Sequence, residues 1–314
     1  MVEKTVRMAR ATHTGARPVM LAIAGDSASG KTTLTKGLME ALGPESCVAI
    51  CVDDYHRYDR LERKNKPFTA IHPDCNYIDI MTDHLHALAM GKPILKPVYD
   101  HDTGMLTRPE YVEPRQFVII EGLLPLYTKA LRACFDVTVF LDPPEEIRYQ
   151  WKIQRDTQKR GYNEEQVLAE LARRGPESTQ FIRPQRGHAD VVVRFAPVAG
   201  REDPPSTPLS AELMLRPTIH HPDLSDVVAS CTGRAIHLKL DRDEGRPVDA
   251  LHVHGYAPAE DSATVQKAIW SKFSARGGLP ETLGMLANGT RSEPLAITQL
   301  IVLYHLLDNA QAAS

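Results

Sequence analysis

The 314-residue sequence predicts an α/β fold in which helices flank a mainly parallel sheet, followed by a C-terminal extension of antiparallel strands and helices. Three observations predict it. From Val19 to about Ala196, short apolar runs alternate with stretches of helical periodicity, as in strands joined by crossover helices. The first run, Val19-Met20-Leu21-Ala22-Ile23-Ala24, leads straight into GDSASGKTT, residues 25–33, a glycine and four spacers before Gly-Lys-Thr. After PVAGREDPPSTPLS, residues 197–210, with four prolines and no periodicity, the apolar period changes to two.

The first strand is expected over Pro18–Ala24 and the first helix over 32–42. Between them, backbone N–H groups and the opening helix attract anionic oxygens, so the loop suits a nucleotide's phosphates. Gly25 and Gly30 allow close approach, and Asp26, Ser27, Ala28 and Ser29 form the span between them. Lys31 reaches the outer phosphates, the Thr32 hydroxyl binds Mg2+, and Thr33 completes the turn.

The second strand, Cys47–Val52, ends in CVDDYHRYDR, residues 51–60. Ligands of open parallel sheets bind beyond the carboxyl ends of strands, which sets Asp53 opposite the loop as a base for a substrate hydroxyl. His56, Arg57 and Arg60 follow closely enough to hold a second anion. The competing reading makes Asp53 and Asp54 helix caps. A helix is expected over 79–90. The next strand, Phe117–Ile120, runs into Glu121, an acid placed to orient Mg2+ or its waters.

Strand Val137–Leu141 precedes helices over 144–160 and 163–173, and Asp190–Phe195 is the last strand of this part. In RYQWKIQRDTQKRGY, residues 148–162, Arg148, Lys152, Arg155 and Lys159 share one helix face, with Arg160 beside them. Such a row can close over a triphosphate; the alternative is an exposed helix laced by pairs such as Lys152 with Asp156. Beyond the proline-rich stretch, AELMLRPT, RAIHLKL and ALHVHGY alternate as antiparallel strands, with helices near 263–275 and 293–308. The expected organisation is a flexible tail over 1–17, a core over 18–197, a linker over 198–210 and a β-rich extension over 211–314.

With a net charge of −3, no global basic field draws the chain to nucleic acid or an anionic membrane. No apolar stretch approaches the ~20 residues of a membrane span. Five scattered cysteines lack metal-ligand spacing and suit a reducing cytoplasm.

Taken together, GDSASGKTT, ICVDDYHRYDR, KPVYDHDTG (96–104), FVIIEGLLPLY (117–127) and WKIQRDTQKRGY (151–162) resemble, in order, the signature segments of the phosphoribulokinase family of P-loop kinases. The resemblance is nearer the plant and cyanobacterial type than the proteobacterial one, and PLAITQLIVLYHLL resembles the family's last helix. It implies a P-loop kinase fold, ATP and Mg2+ as cofactors, and phosphorylation of D-ribulose 5-phosphate at the 1-hydroxyl to give ribulose 1,5-bisphosphate. It also implies a homodimer. By resemblance Asp53 is the general base, three residues before His56. Lys31 and Thr32 contact phosphate and metal, and Glu121 is the second acid. His56, Arg57 and Arg60 lie near the sugar phosphate, Tyr99 and His101 at the acceptor pocket, and Lys152, Arg155 and Arg160 on the basic helix. Asp53, Thr32 and Glu121 are the expected metal contacts.

Two departures stand out. The plant-type regulatory disulfide needs a cysteine in the loop; Ser29 stands there, opposite Cys51, and Cys231 alone lies in the C-terminal half, so that route is not expected. Leu124 replaces the family's usual histidine. A uridine kinase-like nucleoside kinase is the competing enzyme, and a non-catalytic nucleotide-binding module the competing class. The surplus cations Arg57, Arg60 and Arg160 favour a phosphorylated acceptor, and Lys31, Thr32, Asp53 and Glu121 are all intact.

Overall fold

The computed structural model describes residues 17–202, 204, 207–231, 233–273, 278–286 and 288–312. In chain order the elements are β1 (Val19–Gly25), α1 (Lys31–Leu42), β2 (Cys47–Cys51), α2 (Arg60–Arg63), α3 (Ile78–Ala89), β3 (Ile94–Asp100), β4 (Met105–Val112), β5 (Phe117–Gly122), α4 (Lys129–Arg132), β6 (Val137–Leu141), α5 (Glu145–Lys159) and α6 (Glu164–Glu177). They continue as β7 (Val191–Ala196), β8 (Ser210–Leu215), α7 (Ser225–Ala229), β9 (Ile236–Asp243), β10 (Arg246–Val253), α8 (Ala259–Ser271) and α9 (Glu293–Ala312).

The chain divides into two compact units. One comprises Arg17–Lys31 and Val48–Ala189 and is built on parallel strands in the order β2-β5-β1-β6. Strand β1 pairs parallel with β5, Val19 opposite Phe117 and Ile23 opposite Glu121, and with β6, Leu21 opposite Val137. A central parallel strand has no solvent face, which explains why β1 is apolar throughout and wholly buried. Beside this sheet, β3 and β4 form a separate antiparallel hairpin.

The other unit comprises Thr32–Cys47 and the chain from Asp190 onward. Its strands run antiparallel in the order β7-β8-β10-β9. Helix α9 is buried on all sides from Pro294 to Leu307, so its apolar residues follow no single stripe. A methyl group on Gly37 of α1 would collide with the Gln299 amide, so the glycine lets α1 and α9 pack closely. No helix among the described residues is long and apolar enough to cross a membrane.

The expected fold class holds, and several boundaries move. The helix expected over 163–173 continues to Glu177, passing through Gly175 and Pro176, and a π-helical turn (Ser178–Ile182) and a 3₁₀ segment (Arg183–His188) carry it on. Gly-Pro reads as a stop in sequence, but here the helix end is held by tertiary bonds: Glu177 receives the Thr69 backbone N–H at 2.9 Å. Helix α8 begins at Ala259 rather than 263, and residues 274–277 at its expected end lie outside the described residues. The β3–β4 hairpin was not anticipated. Residues 1–16 of the expected tail, and 203, 205 and 206 of the expected linker, also lie outside the described residues.

Candidate active site

Gly25 ends β1 at φ 148°, and a Cβ there would sit 2.7 Å from both the Leu141 carbonyl and Ser29 Oγ. Only glycine fits so close to backbone. Gly30, at φ 96°, turns the chain into α1, and Ala28 is held at φ 61°, a left-handed conformation rare for a side-chain-bearing residue. Asp26 is anchored three ways: its carboxylate accepts the Ser27 N–H at 2.7 Å and the Ser178 hydroxyl, and lies 3.4 Å from the buried Arg148 guanidinium. Ser29 is fully buried, and its Oγ has no hydrogen-bond partner.

Lys31 Nζ donates to the Gly25 carbonyl at 3.0 Å and the Asp26 carbonyl at 2.8 Å. Burial pulls its pKa down, against the raising fields of Glu121, Asp53 and Asp26. Thr32 and Thr33 follow in the first turn of α1. The loop fits a phosphate group on this chain's own features: a backbone cradle that a Cβ would fill, a lysine among carbonyls, and an unmet hydroxyl. Asp53, Glu121 and Thr32 offer hard oxygen donors, the chemistry magnesium requires.

Strand β2 runs into a 3₁₀ turn, Val52–Tyr55, so neither aspartate caps an α-helix. The turn separates them. Asp54 accepts the Tyr99 N–H at 3.0 Å and is paired with Lys96 at 2.6 Å. The Asp53 side chain, 26% exposed, has an oxygen 3.6 Å from His101 Nε2. Burial would raise the Asp53 carboxyl, but the surrounding positive charge of His56, His101, Lys31 and Arg174 outweighs it and lowers its pKa. His56 is buried, with Nδ1 2.8 Å from Asn76 Oδ1 and its ring edge-on to Tyr99. Its burial, against the Asp53 field, drops its pKa to about 4. It is therefore neutral at pH 7.

Tyr99, His101, Arg57 and Arg60 lie around this turn. Tyr99 and His101 are neighbours on the hairpin, rings 5.2 Å apart and perpendicular. Arg57 Nε donates to the Asn76 carbonyl at 2.9 Å, and Arg60 donates to the carbonyls of His101 and Asp102. Glu121 is the penultimate residue of β5, which lies directly between β2 and β1. Leu124 is fully buried.

On α5 the basic row divides. Lys152 Nζ sits 2.7 Å from Asp156 Oδ2 with both side chains 4% exposed, so the pairing exists but is buried rather than solvated. Arg155 binds the other oxygen at 2.8 Å and Arg160 approaches at 3.5 Å. Burial and the Arg174 charge bring Lys152 down to about 8 despite its bond to Asp156. Burial opposes ionisation of Asp156, yet the hydrogen bonds from Arg155 and Lys152 hold it at about 2. Burial also lowers Arg160. The side chain of Lys159 lies outside the described residues.

Three contributors escaped the sequence reading. Arg174 follows the expected helix end by one residue, and its charge bears on Asp53, His56, Lys152 and Arg160. Arg63 bonds the Tyr99 hydroxyl and faces that ring at 4.8 Å. Asn76 holds His56. The basic run RLERK and the pair Arg173-Arg174 were visible signals for the first two.

A family model described as "Phosphoribulokinase / Uridine kinase family" matches residues 20–200. The chain is 43% identical over 198 residues to the phosphoribulokinase of Synechocystis sp., a match covering 63% of this chain and 60% of that protein. It is 32% identical over 180 residues to a uridine kinase of Chloroflexus aurantiacus, covering 56% of this chain and 86% of that one. The match thus spans about 60% of the cyanobacterial relative's length. Among solved structures, phosphoribulokinase from Rhodobacter spheroides superposes with a TM-score of 0.60 at 17% identity, covering 82% of this chain and 98% of that one, which shows a shared fold. Because the matched stretch exceeds half of the sequence and contains the loop, Asp53 and Glu121, the chain belongs to the phosphoribulokinase / uridine kinase family.

Proposed function

We propose that this chain transfers the γ-phosphate of ATP to the 1-hydroxyl of D-ribulose 5-phosphate, giving ribulose 1,5-bisphosphate and ADP. The observation that carries the reading is the division of labour at the end of β2: Asp54 is tied to Lys96, while Asp53 lies beside His101 and is kept ionised. An ionised carboxylate at that strand end can take the proton of an attacking hydroxyl. Lys31 and the loop 25–33 hold the nucleotide's phosphates. Thr32, Glu121 and Asp53 would hold Mg2+, which would supply positive charge against the nucleotide's phosphates. Arg155 and Arg160, gathered on Asp156, offset charge developing on the transferred group.

The acceptor's own phosphate is read by cations. Arg57, Arg60 and Arg63 lie around the His56–Tyr99–His101 group, more positive charge than an uncharged nucleoside needs. The 43% identity to a cyanobacterial phosphoribulokinase against 32% to a uridine kinase supports the same choice. ADP release from MgATP, measured separately with ribulose 5-phosphate and uridine, tests it. Turnover of the sugar phosphate with strict divalent-metal dependence is expected; turnover of uridine alone would overturn the assignment.

A further inference from the structure

Cys51 Sγ, an Asp53 carboxylate oxygen and an His101 ring nitrogen all lie within 4.8 Å of one another. No other group of three histidine, cysteine or acidic donors among the described residues is gathered in this way. Thiol and imidazole are poor ligands for magnesium, which demands hard oxygens, and good ones for zinc. We propose that Cys51, Asp53 and His101 form a binding site for a borderline-soft divalent cation of the zinc class, with a fourth position open.

The geometry needs little adjustment. Bonds of about 2.0–2.3 Å in a tetrahedral site bring ligand atoms to within roughly 3.3–3.8 Å of one another. His101 and Asp53 already stand 3.6 Å apart, and the His101 side chain is 41% exposed in the turn after β3. Cys51 ends β2 two residues before Asp53, whose carboxylate supplies negative charge beside the thiol. The Lys31 ammonium opposes a second cation but is engaged by the Gly25 and Asp26 carbonyls. As the S–Zn bond forms, the thiol's S–H bond breaks and its proton leaves to solvent; no electrons are exchanged. Such a metal would occupy the Asp53 oxygen that takes the substrate proton, so its inhibitory effect rests on the kinase reading, whereas the site itself does not.

Zinc titration of the full chain, without nucleotide and in excess magnesium, tests the site through a chromophoric zinc indicator and through site-resolved alkylation of Cys51 by iodoacetamide. The expected result is zinc binding that protects Cys51 and that Cys51→Ser and His101→Ala each weaken at least about tenfold. Cobalt in place of zinc should give a thiolate charge-transfer absorption that Cys51→Ser abolishes. Zinc affinity unchanged in both variants, or Cys51 alkylated equally fast with and without zinc, would overturn the proposal. Neither readout requires turnover. Zinc binding in a chain that phosphorylates nothing would leave this site standing and sink the kinase reading; kinase activity without zinc binding would do the reverse.

Discussion

Lys96 Nζ lies 2.6 Å from Asp54 Oδ2, with 6% and 14% of the two side chains exposed. This bond ties the end of β2 to the β3–β4 hairpin, and it leaves the adjacent Asp53 as the acid beside His101. The two neighbours should therefore fail differently. Asp53→Asn is expected to lower kcat by about 10²–10⁴ while the KM for ATP changes only a few-fold. Asp54→Asn should instead lower the Tm, at a cost of up to about 3 kcal/mol, since the buried Lys96 ammonium keeps only the more distant Glu110 carboxylate, at 3.5 Å, as a charged partner. A larger kcat loss in Asp54→Asn, at unchanged Tm, would reverse the base assignment.

Arg60 reaches the carbonyls of His101 and Asp102, so it supports the hairpin end as well as supplying charge. Arg60→Ala should raise the KM for ribulose 5-phosphate about tenfold with a smaller change in kcat, because a ground-state contact is lost. Arg60→Lys should rescue little, since an ammonium lacks the planar fork that spans two carbonyls. Steady-state kinetics with each substrate varied in turn separates the two effects.

Acid should weaken the fold through His56. Its folded pKa, lowered by burial to about 4, lies below its ordinary value of 6.5. Between these pH values the unfolded chain binds the extra proton, so stability falls as pH drops from about 6.5 towards 4, by at most about 3 kcal/mol. Urea unfolding of wild type and His56→Asn at pH 7 and pH 4 should show a smaller acid loss in the variant. Equal losses would mean that His56 protonates freely in the folded state.

On α5, Asp156 serves Lys152, Arg155 and Arg160 at once. Asp156→Asn leaves three cations with a neutral partner and should cost on the order of 3 kcal/mol, read from denaturant midpoints. Lys152→Met in the same background should recover part of it. The folded pKa of about 2 lies below the ordinary 3.8, so the stabilisation from Asp156 is complete above that ordinary value and disappears as pH falls towards 2.

Much of this architecture was legible because burial wrote it into local composition. A strand buried on both faces must be apolar throughout, and β1, β5 and β6 announced themselves in that way. The loop was legible because glycine at Gly25 answers a steric demand that other residues cannot meet. The hairpin was not. Strand β4 is exposed along most of its length, so its residues carry no apolar alternation, and the prolines at Pro97 and Pro109 read as breaks. Asp53 and Asp54 could be told apart in sequence only through resemblance, since the ion pair that distinguishes them joins residues 42 apart. Arg174 was lost for a third reason: Gly175-Pro176 signals a helix end, and bonds from distant residues override the signal.

The Lys31 ammonium, resting on two carbonyls of its own loop, bears on the traffic of ligands through the site. A buried ammonium stripped of acceptors would cost several kcal/mol, a penalty that would fall on the moment of departure of any anion it had gripped. Here the carbonyls of Gly25 and Asp26 stand ready to take the charge back. Arrival and exit become exchanges of one set of oxygens for another, so the grip on an anion is moderated and the barrier to vacating the loop is lowered. On the kinase reading, a loop built in this way would favour repeated turnover over retention.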